Sequence, residues 1–322
     1  MAGHAATTEA PAAERDDDLV VVPARHPGRW LAVACIAVLA AMAVHLLVTN
    51  SRLQWSVVWQ YVFSKPILTG VLRTLELTVI AMVIGVVIGI LVAIGRLSPN
   101  PVLAKVAWLY SWFFRGTPLL VQLLFWFYLS ALLTHVSIGI PFGPEFASAS
   151  TNSLITPFLA AILGLGLNEG AYMSEIVRSG ILAVPRGQAE AGQAIGMTRS
   201  EVMRRVVLPQ AMRVIIPPTG NETIGMLKYT SLVIVIGYAE LLTSASLIYA
   251  RTFQTIPLLI VAALWYLAIT AVLSIAQYYV ERHFDRGFQP AAAKSRGSRL
   301  LRGERALRPA PEQPTVAMRS VS

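Results

Sequence analysis

Long apolar runs recur along the chain, near residues 31–48, 75–94, 119–133, 155–176, 214–236 and 257–280. A helix needs ~20 residues to cross a hydrocarbon core, so these runs predict an all-α, polytopic membrane bundle of about six helices. The first run follows Arg25 and Arg29 and contains small residues, as a cleaved signal would. It is longer than the usual apolar core of ~7 to 15 residues and follows a long polar leader, which favours an uncleaved helix.

Polar positions interrupt two of these runs with helical spacing. Asn168, Tyr172, Glu175 and Ser179 share one face of the fourth, beside Glu169. Asn221, Gly225 and Lys228 form a stripe on the fifth, with Glu222, Thr230 and Ser231 nearby. A charge at the centre of a membrane helix costs about 2.5 to 3.5 kcal/mol and normally faces the bundle interior or water. As a set the stripes predict a pathway lining, where carboxylates and an ammonium could bind a zwitterion. Singly, each is as well explained by charge pairing that only orients helices, for example Glu175 with Arg178.

The segment joining these two runs is polar and carries glycines at fixed offsets. Pro185 to Gly187 can open a short helix, and Gly196 can close it in a left-handed cap. Thr198 with Glu201 forms a capping box for a second helix, which Pro209, lacking an amide hydrogen, should end or kink. The predicted product is a helical knuckle outside the bilayer. Ala189, Gly192 and Gly196, at i, i+3 and i+7, permit close approach of a partner; the plain alternative is an amphipathic loop packed on the chain's own helices. Thr117-Pro118 reads as an N-cap and first helical residue at the start of the third run, and Gly85 and Gly89 as helix-contact positions.

Composition supports the membrane assignment: 55% of residues are hydrophobic and 13% charged, against ~25% charged in soluble domains. The single cysteine, Cys35, excludes a disulfide framework within one chain. The net charge of +9 is better explained by basic loops held on the cytoplasmic side than by nucleic-acid binding. Arg96, Lys105 and Arg115, the arginines around the knuckle and those of the tail all fall on one face if six helices alternate, placing both termini and the knuckle in the cytoplasm. Residues 1–29 and 286–322 are too polar to form a packed unit and are expected to be disordered; the basic C-terminal tail could adhere to anionic lipid or simply mark topology.

Known-family resemblance enters at the knuckle. From Glu190 the chain reads Glu-Ala-Gly, three residues, Gly196, nine residues, Val206, one residue and Leu208-Pro209. This resembles, in register, the signature loop of ABC importer permeases, with Gly192 and Val206 standing where Ala and Ile are usual. Residues 114–122 (Phe-Arg-Gly-Thr-Pro-Leu-Leu-Val-Gln), 175–181 with 185–188, and 227–232 are similar to the polar amino-acid uptake branch, so the resemblance spans about 66–285. It implies a type I importer fold: a permease domain over 66–285, preceded by an extra helix and outward loop over 30–65. It also implies an inner-membrane subunit that forms the pathway for polar amino acids or close derivatives and couples to a separate ATPase. The coupling residues would be Gln188, Glu190, Ala191, Gly192, Gly196, Leu208 and Pro209. Candidate pathway residues are Asn168, Glu169, Tyr172, Glu175, Asn221, Glu222, Lys228, Thr230 and Ser231. The implied partners are cytoplasmic ABC ATPase subunits, a second permease chain, an extracytoplasmic solute-binding protein and membrane lipid, with no nucleic acid.

No Gly-x-x-x-x-Gly-Lys-Ser/Thr loop, zinc helix or nucleophile elbow occurs in the chain. No catalytic or metal site is expected in it, and ATP and Mg would be bound by the partner ATPase. Two rivals stay open. A proton-coupled carrier would use Glu175 and Glu222 but has no need of the knuckle, and a passive channel explains the helices but not the stripes.

Overall fold

Polar caps and prolines at the run edges set where the helices begin. Asn100 accepts from the amides of Val102 and Leu103 ahead of Pro101, and Thr156 caps the amide of Leu159 ahead of Pro157. The computed structural model describes residues 27–140 and 145–284. The expected disorder of both tails falls outside these residues, apart from residues 27–29, which are helical.

By its contacts the chain divides at Gln54/Trp55. The first unit is helix α1 (Pro27–Thr49), followed by a 3-10 turn over Ser51–Leu53. From Trp30 to Thr49 its side chains are exposed and nearly all apolar, with Cys35 and polar His45 among the exposed ones.

The second unit comprises α2 (Trp55–Val62), α3 (Lys65–Arg96), α4 (Pro101–Gly116), α5 (Leu119–Phe127) and α6 (Leu129–Leu132). A hairpin of β1 (His135–Gly139) and β2 (Glu145–Ser150) comes next, then α7 (Thr151–Leu154), α8 (Pro157–Leu182), α9 (Arg186–Ala194) and α10 (Arg199–Glu201). A π-helical turn over Val202–Val207 leads into α11 (Leu208–Tyr229), a 3-10 turn over Thr230–Ile236, α12 (Leu241–Thr252) and α13 (Thr255–Phe284). The fold is helical as expected; the antiparallel hairpin, pairing His135 with Ser150, is an addition the sequence did not signal.

Among the described residues, three helices are long and apolar enough to cross a membrane, with a fourth if the run Arg199–Ile236 and α12, bent by 44°, form one span. The expected helix over 119–133 is instead broken at Tyr128 into α5 and α6. Two other expectations are corrected. Pro118, not Thr117, is the N-cap of α5; Thr117 closes α4. Pro209 does not end the second knuckle helix, which runs on into α11. Because Pro209 offers no amide to bond, the chain widens before it, and the Leu208 amide bonds the Met203 carbonyl five residues back.

The most extensive contact joins α3 to α8. A side chain at Gly85 would collide with Glu169, and one at Gly89 with Met173, so these glycines allow the axes to approach as expected. Their order along both helices makes the pair parallel, with Arg96 and the end of α8 together beside the knuckle. A core around Leu77, Leu123, Leu165 and Met226 fills the centre, and a second around Val58, Ile67, Leu241 and Leu258 seals α2, α12 and α13 onto α3.

Between the 3-10 turn and α12 the backbone is irregular, with Gly237 at φ 72°. Such a break at membrane depth survives only where its polar groups are satisfied. Glu240, fully buried, accepts from the amides of Leu242 and Thr243 at 2.9 and 2.7 Å and from Tyr266 Oη at 2.7 Å. Thr243 and Thr74 add their hydroxyls at 2.9 and 3.3 Å, tying α3, α12 and α13 to one carboxylate.

Candidate functional site

The α4–α5 break creates the site. Thr117 is extended, so the backbone from Phe114 to Thr117 leaves carbonyls without helical partners. The buried Gln122 amide lies 2.9 Å from the Phe114 carbonyl and 2.7 Å from Thr117 Oγ1, and Asn168 Nδ2 from α8 donates to the same Phe114 carbonyl at 3.0 Å. This fixes a cavity of about 440 Å³ whose polar wall comes from three elements: Arg115 and Thr117, then Asn168, Glu169 and Tyr172 of α8, then Glu222 of α11.

Glu169 is 2% exposed, seated over Gly85, and its Oε1 has no hydrogen-bond partner. A buried polar atom left without a partner marks a place where a ligand group or water is needed. Glu222 faces the same cavity. The Arg115 guanidinium lies over the Tyr172 ring, 5.5 Å from its centroid. The cavity thus combines two carboxylates with one guanidinium and an aromatic face, a set able to hold a small zwitterion carrying additional positive charge.

Glu175 is elsewhere. It is held by Arg96, by Arg115 at 3.1 Å and by Arg178 at 3.0 Å, and borders a neighbouring cavity of about 310 Å³ on the knuckle side. Thr230 and Ser231 donate to the carbonyls of Leu227 and Lys228 at 2.7 and 2.6 Å, while Asn221 and Lys228 are exposed outside the cavity. Arg115, Thr117 and Gln122 are not among the pathway candidates that the sequence offers. Charge counting places Arg115 in a basic loop; the break brings its side chain, still 43% exposed, to the wall of the cavity.

The knuckle is preformed. α9 exposes Gln188, Glu190 and Ala191, and Gly196, at φ 86°, closes it. Gly192 is buried against Val202 of the π-helical turn, so the small residue there serves contact within the knuckle. Leu208 and Pro209 are exposed at the start of α11. The Thr198 backbone amide, 2.9 Å from Glu201 Oε2, and the Thr198 hydroxyl hold the Glu201 carboxyl below the usual carboxylate range. The Glu201 amide donates back to Thr198 Oγ1 at 3.3 Å, completing the box.

Residues 85–286 match the family described as binding-protein-dependent transport system inner membrane component. The arginine transport system permease protein ArgU of Corynebacterium glutamicum is 51% identical over 267 residues, 82% of this chain and 83% of that one. The L-cystine transport system permease protein TcyB of Bacillus subtilis is 40% identical over 74% of this chain and 95% of its own length. A chain from the crystal structure of an amino acid ABC transporter with histidines is 36% identical, with a TM-score of 0.59, covering 68% of this chain and 94% of that one. A chain of the inward-facing MetNI methionine ABC transporter, 18% identical with a TM-score of 0.54 over 69% of this chain, shares the fold.

Proposed function

The chain belongs to the family of binding-protein-dependent transport system inner membrane components, and from that premise we propose a mechanism for its task. It is a membrane-spanning permease subunit of an amino-acid importer. The cavity between the α4–α5 break, α8 and α11 is its substrate station. Glu169 and Glu222 take the cationic groups of a polar amino acid, Asn168 and Tyr172 shape the wall, and Arg115 takes the carboxylate. The unpartnered Oε1 of buried Glu169 is the observation that carries this assignment. Two carboxylates facing one guanidinium favour a basic amino acid, in keeping with the arginine system of the 51% identical relative.

Energy comes from a separate ATPase that binds ATP and Mg and seats on Gln188, Glu190, Ala191, Gly196, Leu208 and Pro209, with Gly192 stiffening the seat from within. Because α10, the π-helical turn and α11 form one continuous run, movement of the knuckle reaches Glu222 along a helix. Coupling requires only that cargo and nucleotide bind the two states differently. A solute-binding protein delivers cargo at the end opposite the knuckle, a second permease chain completes the pathway, and both termini lie with the knuckle in the cytoplasm. Residues 66–285 form the conducting core, and α1 is an addition to it.

Proteoliposomes containing the chain with its ATPase and binding protein test this. Labelled arginine should enter only with ATP and be competed by lysine. Glu169→Gln should reduce uptake by at least about tenfold, the loss of one charge-assisted contact, while ATPase capture persists. Uptake driven by a proton gradient without ATP, or undiminished in both Glu169→Gln and Glu222→Gln, would overturn the proposal.

A further inference from the structure

At the end of the bundle opposite the knuckle, α3 and α12 enclose a groove of about 580 Å³ that the transport mechanism does not use. Its α3 wall carries Lys65, Thr69 and Arg73 at i, i+4 and i+8, and its α12 wall carries Leu247, Ile248 and Arg251. Three cations therefore converge on one groove with no acidic residue in its lining. Among the described residues every ion pair is made by Glu175 at the other end of the bundle, so none of the three is ion-paired, and Glu76, one turn along α3, and buried Glu240 lie outside the groove lining. Arg73 donates to the Ala239 carbonyl in the α11–α12 break at 3.2 Å and is thereby held at the groove.

Depth gives the groove its character. Lys65 opens α3 and Arg251 lies in the last turn of α12, so both sit at the bundle end where lipid headgroups lie. Arg73 is two turns further in, ~12 Å along the helix, beside the exposed side chains of Leu68 and Leu72. Arg73 precedes the apolar run over 75–94, so all three cations fall at the edge of the hydrocarbon core, where basic side chains draw anionic headgroups. An occupant must then present negative charge at the rim and aliphatic chain alongside Leu247 and Ile248. A soluble anion satisfies the first demand alone.

We propose that this groove is a binding site for an anionic glycerophospholipid, its phosphate held between Lys65 and Arg251 with Arg73 beneath, and an acyl chain lying along α12. The proposal needs only that the chain spans a membrane and is independent of the cargo.

The full chain is purified in mild detergent, reconstituted in nanodiscs of phosphatidylcholine with a minor fraction of phosphatidylglycerol, re-extracted and analysed by native mass spectrometry. The wild type should retain phosphatidylglycerol in preference to phosphatidylcholine, and 10 mM inorganic phosphate should not displace it. Lys65→Gln and Arg251→Gln, exposed positions without a described bond, should each lower retention roughly fivefold, the effect of one basic residue near an anionic surface, with the thermal midpoint unchanged. Arg73→Gln should do the same, and its midpoint shows whether the bond to Ala239 also matters to the fold. Equal retention of both lipids by wild type, or undiminished phosphatidylglycerol in the Lys65→Gln/Arg251→Gln double variant, would overturn the site. Displacement by phosphate would overturn its assignment to lipid.

Discussion

Glu240 and Glu175 show how differently one residue type can be spent. Both are carboxylates in a membrane bundle, yet Glu240 is occupied by amide and hydroxyl donors and Glu175 by three guanidiniums. Glu240→Gln keeps the shape but turns one acceptor into a donor, leaving an amide at the start of α12 opposite an NH2 group. Denaturation in detergent should show a loss of roughly 2 kcal/mol, and Glu240→Ala a larger one. A Gln variant as stable as wild type would remove the carboxylate from its role in holding the break. The pairing of Glu175 with Arg178 is the charge-pairing alternative the sequence offers, and it is present; the rest of both assignments was not legible. Helical spacing placed Glu175 on the face of Asn168 and Tyr172, but its partners Arg96 and Arg115 come from distant helices and were counted as loop charges. Glu240 follows the 3-10 turn and matches no familiar capping pattern, so nothing marked it. Asn168, Glu169, Tyr172 and Glu222 were legible because a polar group in an apolar run is conspicuous by its expense.

At the scale of elements, the knuckle was the best-written part of the sequence. The positive φ of Gly196 and the Thr198–Glu201 box were both anticipated, because caps depend on neighbours a few residues away. The box has a pH signature. The Glu201 carboxyl is held below its ordinary value, so its stabilisation is complete above the unfolded carboxylate range and is lost as pH falls through the lower folded value. Hydrogen exchange at the amides of 199–202, corrected for intrinsic rates, should therefore accelerate on acidification. Thr198→Ala, which keeps the backbone amide but loses the hydroxyl, should weaken that dependence and loosen the turn by about 1 kcal/mol at neutral pH. Unchanged protection across the acid range would mean that α10 is held by α11 alone. What could not be read was continuity across Pro209 or the break at Tyr128. A proline can begin a helix as readily as end one, and the run over 119–133 carries no glycine or proline after Pro118 to signal a stop.

For the whole molecule, the charge distribution separates two ends: the knuckle with Arg96, Arg115 and Arg178 at one, and Lys65, Arg73 and Arg251 at the other. In a variant with Cys35 replaced by serine, a cysteine at exposed Gly196 should be reached by an impermeant maleimide only in inverted vesicles, and one at exposed Gln54 only in intact cells. Labelling of both from the same side would invalidate the assigned orientation. Periodicity gave the bundle and charge counting only an expected direction, whereas the pairing of helices was beyond them, since Gly85 fits any close neighbour and only the folded chain shows that neighbour to be Glu169.

That parallel pairing of α3 with α8 also sets a schedule for biogenesis. Parallel neighbours cannot meet as a simple hairpin, and the whole stretch from α4 to α7 separates them in the chain. At about 5 to 20 residues per second, a ribosome that has released α3 needs several seconds to deliver the helix that fills its glycine face. For that interval the groove at Gly85 and Gly89 stands open to lipid tails or to another nascent helix, and the most extensive contact of the finished protein is also one that its synthesis delays.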